Sequence, residues 1–515
     1  MSDKIIELGL VFLIFFTPLA FGSVYIWSYS IMELAVFSML IALIMKKGLI
    51  HGKKISFPLF VPVMFFLAFV LFQLTPLPPS AIKAISPQAH ELYSRTLDGY
   101  PGKMMEQRGK RQALEGTTPI GQRLEVRGVT LEGKKPGGIF ENWRTLSLDP
   151  HATRTELLKI LSYLGIFLLI INYVESKRRL IRITTVIVFS GILVALLGIV
   201  QKLGDAPKIY WFWEPLFKKD ATFFGPFVNP NHFAGYIEMV IPLSMGLFIS
   251  KWRYLGESRF RGIRGFLIKV GTEEGCKLVL FGFLIALMVG ALFLSSSRGG
   301  VISFLGSMAF FLLLMTRENK ARGNLFVVVV LLGSVFSLLI WMGIRPLLEE
   351  FSSVQNLSRD YDIQYRFQNW KDSTKLIRDF PLLGVGLQAF SSIFPKYKTI
   401  GLQYYYLYAE NDYLQMLCEM GILGFGVFTW FFASFLLQVR SGYSNYEGDR
   451  TSRVHDISLY GCLAGVVAVM IHSFWDFNMH IPSNPLLLSI IMGLAIAGVH
   501  IRQNEYSQYS QEVSL

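Results

Sequence analysis

The sequence has little charge and almost no cysteine. Asp, Glu, Lys and Arg make up 17% of its 515 residues, whereas a soluble globular protein carries about a quarter. The three cysteines form no CxxC pattern, and Cys418 and Cys462 lie inside apolar segments. Neither a disulfide framework nor a cysteine–histidine metal site is therefore predicted. A soluble enzyme and a disordered chain are excluded, because apolar residues are abundant and clustered.

Long apolar runs are what the sequence has instead. Hydrophobic residues make up 52% of the chain and occur in blocks of about 20, the length at which a helix crosses a bilayer. The predicted spans are 5–25, 28–45, 57–75, 155–173, 181–203, 233–250, 278–295, 300–316, 324–343, 412–438, 456–473 and 484–501. The predicted fold class is an all-α polytopic membrane protein with about twelve transmembrane helices.

Basic residues are unevenly distributed between the connections. The net charge of +13 would suggest a nucleic-acid partner in a soluble protein, but here Lys and Arg concentrate in alternate connections such as 46–54, 174–180 and 251–277. The opposite connections 26–27 and 474–483 contain neither residue. The positive-inside rule therefore predicts cytoplasmic termini. No nucleic-acid partner is expected.

Two long connections divide the chain. The predicted organisation is three spans in 1–75, a long outer loop in 76–154, six spans in 155–343, a second outer loop in 344–411, and three spans with a cytoplasmic tail in 412–515. A short helix is predicted from Pro87 in the first loop. Helical spacing of Ile363, Phe367, Trp370 and Ile377 predicts a longer helix in the second loop, which Pro381 ends.

Four polar clusters lie at the outer ends of the predicted spans. The first, FGPFVNPNHFAGY, places Asn229, Asn231 and His232 around Pro230 at a helix start, a pattern that is also typical of an ordinary N-cap and turn. The second, LSSSRGG at 294–300, holds Arg298 near the lipid headgroups. It suits an anion clamp for phosphate or, alternatively, a snorkelling arginine.

The third cluster runs from Arg366 to Asp412. Arg366 could pair with Asp362 one turn away, and the acidic run Glu410, Asn411, Asp412 could cap the following helix. Four tyrosines precede this run, and they could form an interfacial aromatic belt or stack on sugar rings: Tyr404, Tyr405, Tyr406 and Tyr408.

The fourth cluster, HSFWDFNMHIPSNP at 472–485, crowds His472, Asp476, Asn478 and His480 into one short turn. Ionisable groups this close to hydrocarbon are costly and usually functional, although a hydrogen-bonded structural knot explains them equally well. Ligand spacing does not favour a metal site. Four clusters on one face predict an outward-facing cavity suited to transfer from a lipid-linked diphosphate.

These motifs together resemble the O-antigen ligase and O-antigen polymerase superfamily. The resemblance rests on FGPFVNPNHFAGY, SSSRGG, the run from YRFQNW to DFPLLGVGLQAF, AENDYLQMLCEMGILG and HSFWDFNMHIP, in this order, and covers about residues 150–500. It implies a GT-C-type glycosyltransferase at the periplasmic face of a bacterial inner membrane. The implied donor is a glycan on undecaprenyl diphosphate, with no metal, cofactor or nucleotide sugar.

The resemblance also implies roles for individual residues. Arg298 and Arg366 match the arginines that grip the diphosphate. Glu410 stands where ligases carry a histidine as the proposed base, and a glutamate can serve as base if burial raises its pKa. Further candidates for binding substrate are Asn229, Asn231, His232, Asn411, Asp412, Asp476 and His480, with the histidines and aspartates as possible replacements for Glu410.

Several alternatives stay open at the level of sequence. The acceptor could be lipid A-core, another glycan, as in a polymerase, or a protein, as in an O-oligosaccharyltransferase. A transporter of lipid-linked glycans would place polar groups and broken helices near the bilayer midplane, where charges are few and mainly Glu33, Glu238 and Glu419. A structural membrane subunit would not need the arginine of SSSRGG.

Overall fold

The computed structural model describes residues 2–50, 54–97, 142–214, 222–254, 270–316, 361–399, 405–444 and 453–514, with a few isolated positions between these segments. Over these residues the regular structure is helical and contains no strand, in agreement with the predicted all-α class. The predicted span 324–343, the middle of the first outer loop and Tyr404 lie outside the described residues.

The helices follow the apolar blocks closely. They are α1 (Ser2–Leu19), α2 (Ile26–Ile44), α3 (Phe60–Leu74), α4 (Pro79–Ile85), α5 (Pro87–Thr96), α6 (Pro150–Tyr173), α7 (Lys177–Leu203), α8 (Pro230–Tyr254), α9 (Glu273–Leu294), α10 (Arg298–Thr316), α11 (Tyr361–Asp379), α12 (Asp412–Ser444), α13 (Arg453–His472) and α14 (Ser483–Ser514). Eight candidate spans and two shorter apolar helices lie in the described segments. The chain is a multi-pass membrane protein, while the total of twelve spans stays a prediction.

Helix α8 is the centre of the bundle. Every residue of its stretch 232–250 is buried, and α7, α9, α10 and α13 pack around it. A helix that is apolar on all sides belongs in such an interior position. Helices α1, α2, α6 and α14 complete the bundle through the pairs α1–α2, α2–α6 and α6–α14.

Glycines bring α13 very close to α8. A β-carbon built on Gly461 would lie 2.7 Å from the Pro242 carbonyl oxygen, and one on Gly465 would lie 3.0 Å from the Met239 carbonyl oxygen. The two glycines are four residues apart, the spacing that allows helix backbones to approach within a membrane. This contact fixes the end of α13, and hence the turn after it, relative to α8.

Helix α12 is broken at Gly421, where φ is +61°. The turn that follows α11 fills the break: Val385 N donates to the Cys418 carbonyl (3.0 Å) and Ile422 N donates to the Pro381 carbonyl (2.9 Å). The side-chain amide of Gln73 on α3 donates to the Leu383 carbonyl (2.7 Å). The exposed backbone groups are thereby satisfied inside the protein, as a helix break in a membrane protein requires.

The two long loops share a second apolar core. Ile82 on α4, Ala89 on α5 and Leu376 on α11 are buried against Phe390 and Phe394. The helix predicted from Pro87 is confirmed as α5, and the helix predicted before Pro381 is confirmed as α11. These loops therefore form one folded cap beside the ends of α12 and α13.

The Gly461 contact gives a prediction for stability. Gly461→Ala should lower the free energy of unfolding by about 1–3 kcal/mol, because the added carbon meets a backbone oxygen that cannot move aside. Thermal unfolding in detergent measures the effect. Gly426→Ala is the matched control, since a β-carbon there has no neighbour within 4 Å. Equal stability of the two variants would contradict the close contact.

Candidate functional site

Residues 472–484, between α13 and α14, form the hub of the polar clusters. Asp412 N donates to the carbonyls of Ser473 (2.9 Å) and Asp476 (3.2 Å). The side-chain amide of Asn484 donates to the His232 carbonyl (3.1 Å). The starts of α8 and α12, far apart in sequence, therefore meet on this turn.

Arg366 and Glu410 form an ion pair beside the hub. Arg366 Nη2 lies 3.2 Å from Glu410 Oε2, and their side chains are 23% and 25% exposed. Arg366 Nη1 donates to the Trp475 carbonyl (2.5 Å). The pair is therefore held in place yet open to a ligand. The alternative pairing of Arg366 with Asp362 involves a side chain outside the described ones.

Glu410 is placed by an unusual backbone conformation. Its φ is +58°, which is uncommon for a residue with a side chain. On one side, Ala409 N donates to Gln415 Oε1 (2.7 Å). On the other, Asn411 Oδ1 accepts from Leu414 N (2.9 Å), so Asn411 caps α12 as the sequence allowed.

The chain next to Arg298 lies against the hub. It is the first residue of α10, so the connection expected over 294–300 is confined to residues 295–297. A β-carbon on the adjacent Gly299 would lie 3.0 Å from His472 Nε2 and 3.3 Å from Trp475 Cβ. Because Trp475 also accepts from Arg366, Arg366 and the residue after Arg298 adjoin the same part of the hub.

In the first cluster, Asn229 caps the start of α8 and His232 lies close to a buried carboxylate. Asn229 Oδ1 accepts from Asn231 N (2.9 Å), which fits the N-cap interpretation, and Asn231 itself is half-buried. His232 is buried, with Nε2 3.7 Å from Asp476 Oδ1. The structure thus brings His232 and Asp476 together and leaves Asn229 in a local turn.

Asp476 is fully buried in the hub. Burial opposes its ionisation, but the neighbouring His232 and the positive charge of Arg366 outweigh burial and hold the pKa of Asp476 below its ordinary value of 3.8. Oδ1 accepts from Phe477 N (2.7 Å). The buried carboxylate therefore carries a negative charge close to Arg366.

Asp412 and His480 form a second pair on the hub. Asp412 Oδ1 lies 3.1 Å from His480 Nδ1, and Asp412 Oδ2 accepts from Ser473 Oγ (2.9 Å) and Met479 N (3.2 Å). The Tyr408 ring packs on His480 with centroids 4.7 Å apart. Burial opposes protonation of His480, but Asp412 outweighs it, so the pKa of His480 lies above its ordinary value.

The three described tyrosines before Glu410 have separate surroundings. Tyr405 is exposed and donates to the Ser391 carbonyl (3.2 Å), Tyr406 packs against Phe394 in the cap, and Tyr408 stacks on Phe477 with centroids 4.4 Å apart. Tyr408 is thus the tyrosine whose ring packs on hub residues, Phe477 and His480.

Sequence reasoning missed two buried pairs and an apolar cavity among the helices. His472 Nδ1 lies 3.0 Å from Glu238 Oε2 in the centre of the bundle. Lys159 Nζ lies 2.5 Å from Glu156 Oε2 on α6. The spacing of Glu156 and Lys159, three residues apart on one helix, could have indicated their pair. For Glu238 the only signal is a charge inside an apolar block, which marks the residue as unusual without identifying its partner.

The cavity, of about 210 Å³, lies between α3, α6, α12, α13 and α14. Its walls are mostly apolar, and polar groups gather in it at Glu156, Asp412, Glu419 and His480. Such a space suits a molecule with an apolar chain and a polar head. Among the described residues, no three His, Cys, Asp or Glu side chains are grouped to hold a metal ion.

A comparison with family models found a match in the second half of the chain. Residues 283–429 match the model described as O-antigen ligase. The predicted resemblance to the O-antigen ligase superfamily is confirmed. The matched segment contains Arg298, Arg366, Glu410, Asn411 and Asp412. No match was found among curated proteins.

The match supports an O-antigen ligase or polymerase type of function in general terms. Members of this family are glycosyltransferase-like enzymes, whose partners are lipid-linked glycans and glycolipids or polysaccharides. The matched segment ends before the hub, so the roles of His232, Asp476 and His480 depend on their contacts alone.

The buried Asp476 carboxylate predicts a pH effect on stability. Asp476→Asn should lower the free energy of unfolding by about 1–3 kcal/mol near neutral pH. The pKa of Asp476 is lower in the folded protein than its ordinary value of 3.8. The stability that its charge contributes is therefore complete above pH 3.8 and is lost as the pH falls from there towards the folded-state pKa. Thermal unfolding in detergent between pH 7 and 3 tests this.

Asp205→Asn serves as the control, because Asp205 is exposed in the turn after α7. It should leave stability unchanged across the same range. A difference between wild type and Asp476→Asn that does not shrink in acid would show that the charge of Asp476 contributes nothing.

Proposed function

We propose that the protein transfers a glycan from undecaprenyl diphosphate to an acceptor hydroxyl at the periplasmic face of a bacterial inner membrane, as an O-antigen ligase-like glycosyltransferase of the GT-C type. The observation that carries the proposal is that Arg366 pairs with Glu410 and bonds the hub at Trp475, and that Gly299, next to Arg298 in the chain, lies against the same part of the hub. Two guanidinium groups suit a diphosphate, which could replace the carboxylate of Glu410 as the anionic ligand of Arg366.

In the proposed reaction, Arg298 and Arg366 bind the diphosphate of the donor. The acceptor oxygen attacks the anomeric carbon in a single displacement, and undecaprenyl diphosphate leaves. Negative charge grows on the leaving group, and fixed guanidinium groups stabilise it, often the largest contribution to such catalysis. A diphosphate would compete with Glu410 for Arg366, because both are anionic ligands of the same guanidinium.

The sequence assigns the base to Glu410, and this stays a prediction. Its carboxylate would have to leave Arg366 before it could take a proton from the acceptor. Asn411 and Asp412 contribute by fixing the start of α12, and His232 and Asp476 by placing a negative charge behind Arg366.

The apolar cavity supports a lipid-linked substrate. Its polar groups include Asp412, which is two residues after Glu410, so their Cα atoms lie within about 7.6 Å of each other. A hydrocarbon chain in the cavity would therefore bring its polar head close to Glu410 and its partner Arg366. Lipid A-core, a second lipid-linked glycan and a protein all remain possible acceptors within this proposal.

The transport of a lipid-linked glycan is the second candidate, and the break in α12 at Gly421 favours it, since broken helices are frequent in transporters. The backbone hydrogen bonds that fill this break tie it to the turn after α11. Incubation with purified undecaprenyl-diphosphate-linked oligosaccharide and the three kinds of acceptor separates the two functions. A product of increased mass supports transfer, and donor movement across vesicles without a product supports transport.

Arg298 provides the sharpest mutational test of transfer. Arg298→Ala should lower the rate by at least about 10²–10³-fold while the protein still inserts normally, and Arg298→Lys should recover only part of it, because an ammonium cannot bind phosphate in the forked geometry of arginine. Product formation measured by mass gives the rates.

Arg95→Ala is the matched control, since Arg95 is exposed and pairs with Glu91 on α5. Its rate should equal that of the wild type. If Arg298→Ala also transferred at the wild-type rate, Arg298 would not be part of the diphosphate site.

A further inference from the structure

His480 has one ring nitrogen held by a carboxylate, and the residue lines the cavity. Asp412 holds Nδ1 at 3.1 Å, and the ring borders the cavity. A carboxylate on Nδ1 fixes the proton there, and Nε2 is left as a hydrogen-bond acceptor. This nitrogen can therefore receive a proton from a hydroxyl that approaches from the cavity side.

The position of Asp412 is itself strongly fixed. One carboxylate oxygen accepts from Ser473 Oγ and Met479 N, and its backbone N–H bonds the hub. The Tyr408 ring packs on the face of His480. The imidazole is thus oriented by contacts from α12, from the hub and from the segment before Glu410.

Glu410 is less suited to accept the proton, because it is paired with Arg366. In a single displacement the acceptor attacks the face of the sugar opposite to the leaving group, and its base lies on that same opposite face. Glu410 is paired with Arg366, which the proposed function assigns to the leaving diphosphate. Tyr408 and Asp412, on either side of Glu410 in sequence, both contact His480 instead.

We infer that His480 is the proton acceptor of the transfer reaction, that Asp412 is its positioning residue, and that Glu410 occupies Arg366 until a donor binds. The inference rests on the proposed function. The acceptor O–H bond breaks and its proton moves to Nε2. The oxygen forms the bond to the anomeric carbon, and the bond from that carbon to the diphosphate breaks with its electron pair on the leaving group. The imidazolium, balanced by Asp412, then releases its proton to water.

The raised pKa of His480 gives the expected pH dependence. Transfer needs the neutral imidazole, so kcat/KM should rise as the pH passes through a value above 6.5 and then level off. The titratable groups around His480 are Asp412 and Glu419 on α12, Glu156 and Lys159 on α6, and Tyr408 beside its ring.

The test compares wild type, His480→Gln, His480→Ala and Asp412→Asn, with undecaprenyl-diphosphate-linked oligosaccharide and the acceptor that yields product. His480→Gln should lower kcat/KM by about 10²–10⁴-fold and abolish the rise with pH. Added imidazole should restore part of the rate of His480→Ala. Asp412→Asn should move the rise to lower pH, a shift that a purely structural role would not cause.

Two controls keep a folding defect apart from a catalytic one. Binding of the labelled donor should be unchanged in His480→Gln, because the arginines are intact. His151→Gln, an exposed histidine in the first turn of α6, should keep the rate and pH profile of the wild type.

The outcomes are distinct. If the wild type transfers and His480→Gln matches its rate and pH profile, only this inference is wrong and Glu410 remains the candidate base. If the wild type yields no product with any acceptor, the proposed function and this inference fail together.

Discussion

The burial of α8 over residues 232–250 is the constraint on which the arrangement of the site depends. A polar group on a helix enclosed by other helices cannot reach water, so it must find its partner within the protein. Glu238 finds His472, the last residue of α13. Gly461 and Gly465 bring the backbone of α13 against α8 below this pair. Together these contacts fix where α13 ends and where the hub begins.

A fixed hub explains how short motifs from distant parts of the chain form one site. The start of α12 bonds to it through Asp412, α11 through Arg366, and the start of α8 through His232. Asp412 and His232 make these contacts through their backbones, so their side chains can pair with His480 and Asp476. Asp476 also lies close enough to Arg366 for their charges to interact, and such interactions are strong where water is scarce.

Helix α11 illustrates how far the sequence could specify the site. Its helical spacing and its end at Pro381 could be read directly, since both are local properties. The side of α11 that is buried could not be predicted in this way, because Asn369 and Ser373 are buried whereas Phe367 is 55% exposed. This inward polar face finds partners in the folded chain, among them the Tyr408 carbonyl, which accepts from Asn369. No local pattern contains that partner.

By itself the sequence determined the class of protein, the approximate ends of most described spans and the set of polar motifs, because apolar block length and helix-ending residues act over a few turns of chain. Only the tertiary structure decided which charges meet: Glu410 with Arg366, Asp412 with His480, and Glu238 with His472. The reason is physical. A buried charge must be paired, but its partner is chosen by the packing of helices that can be hundreds of residues apart in sequence.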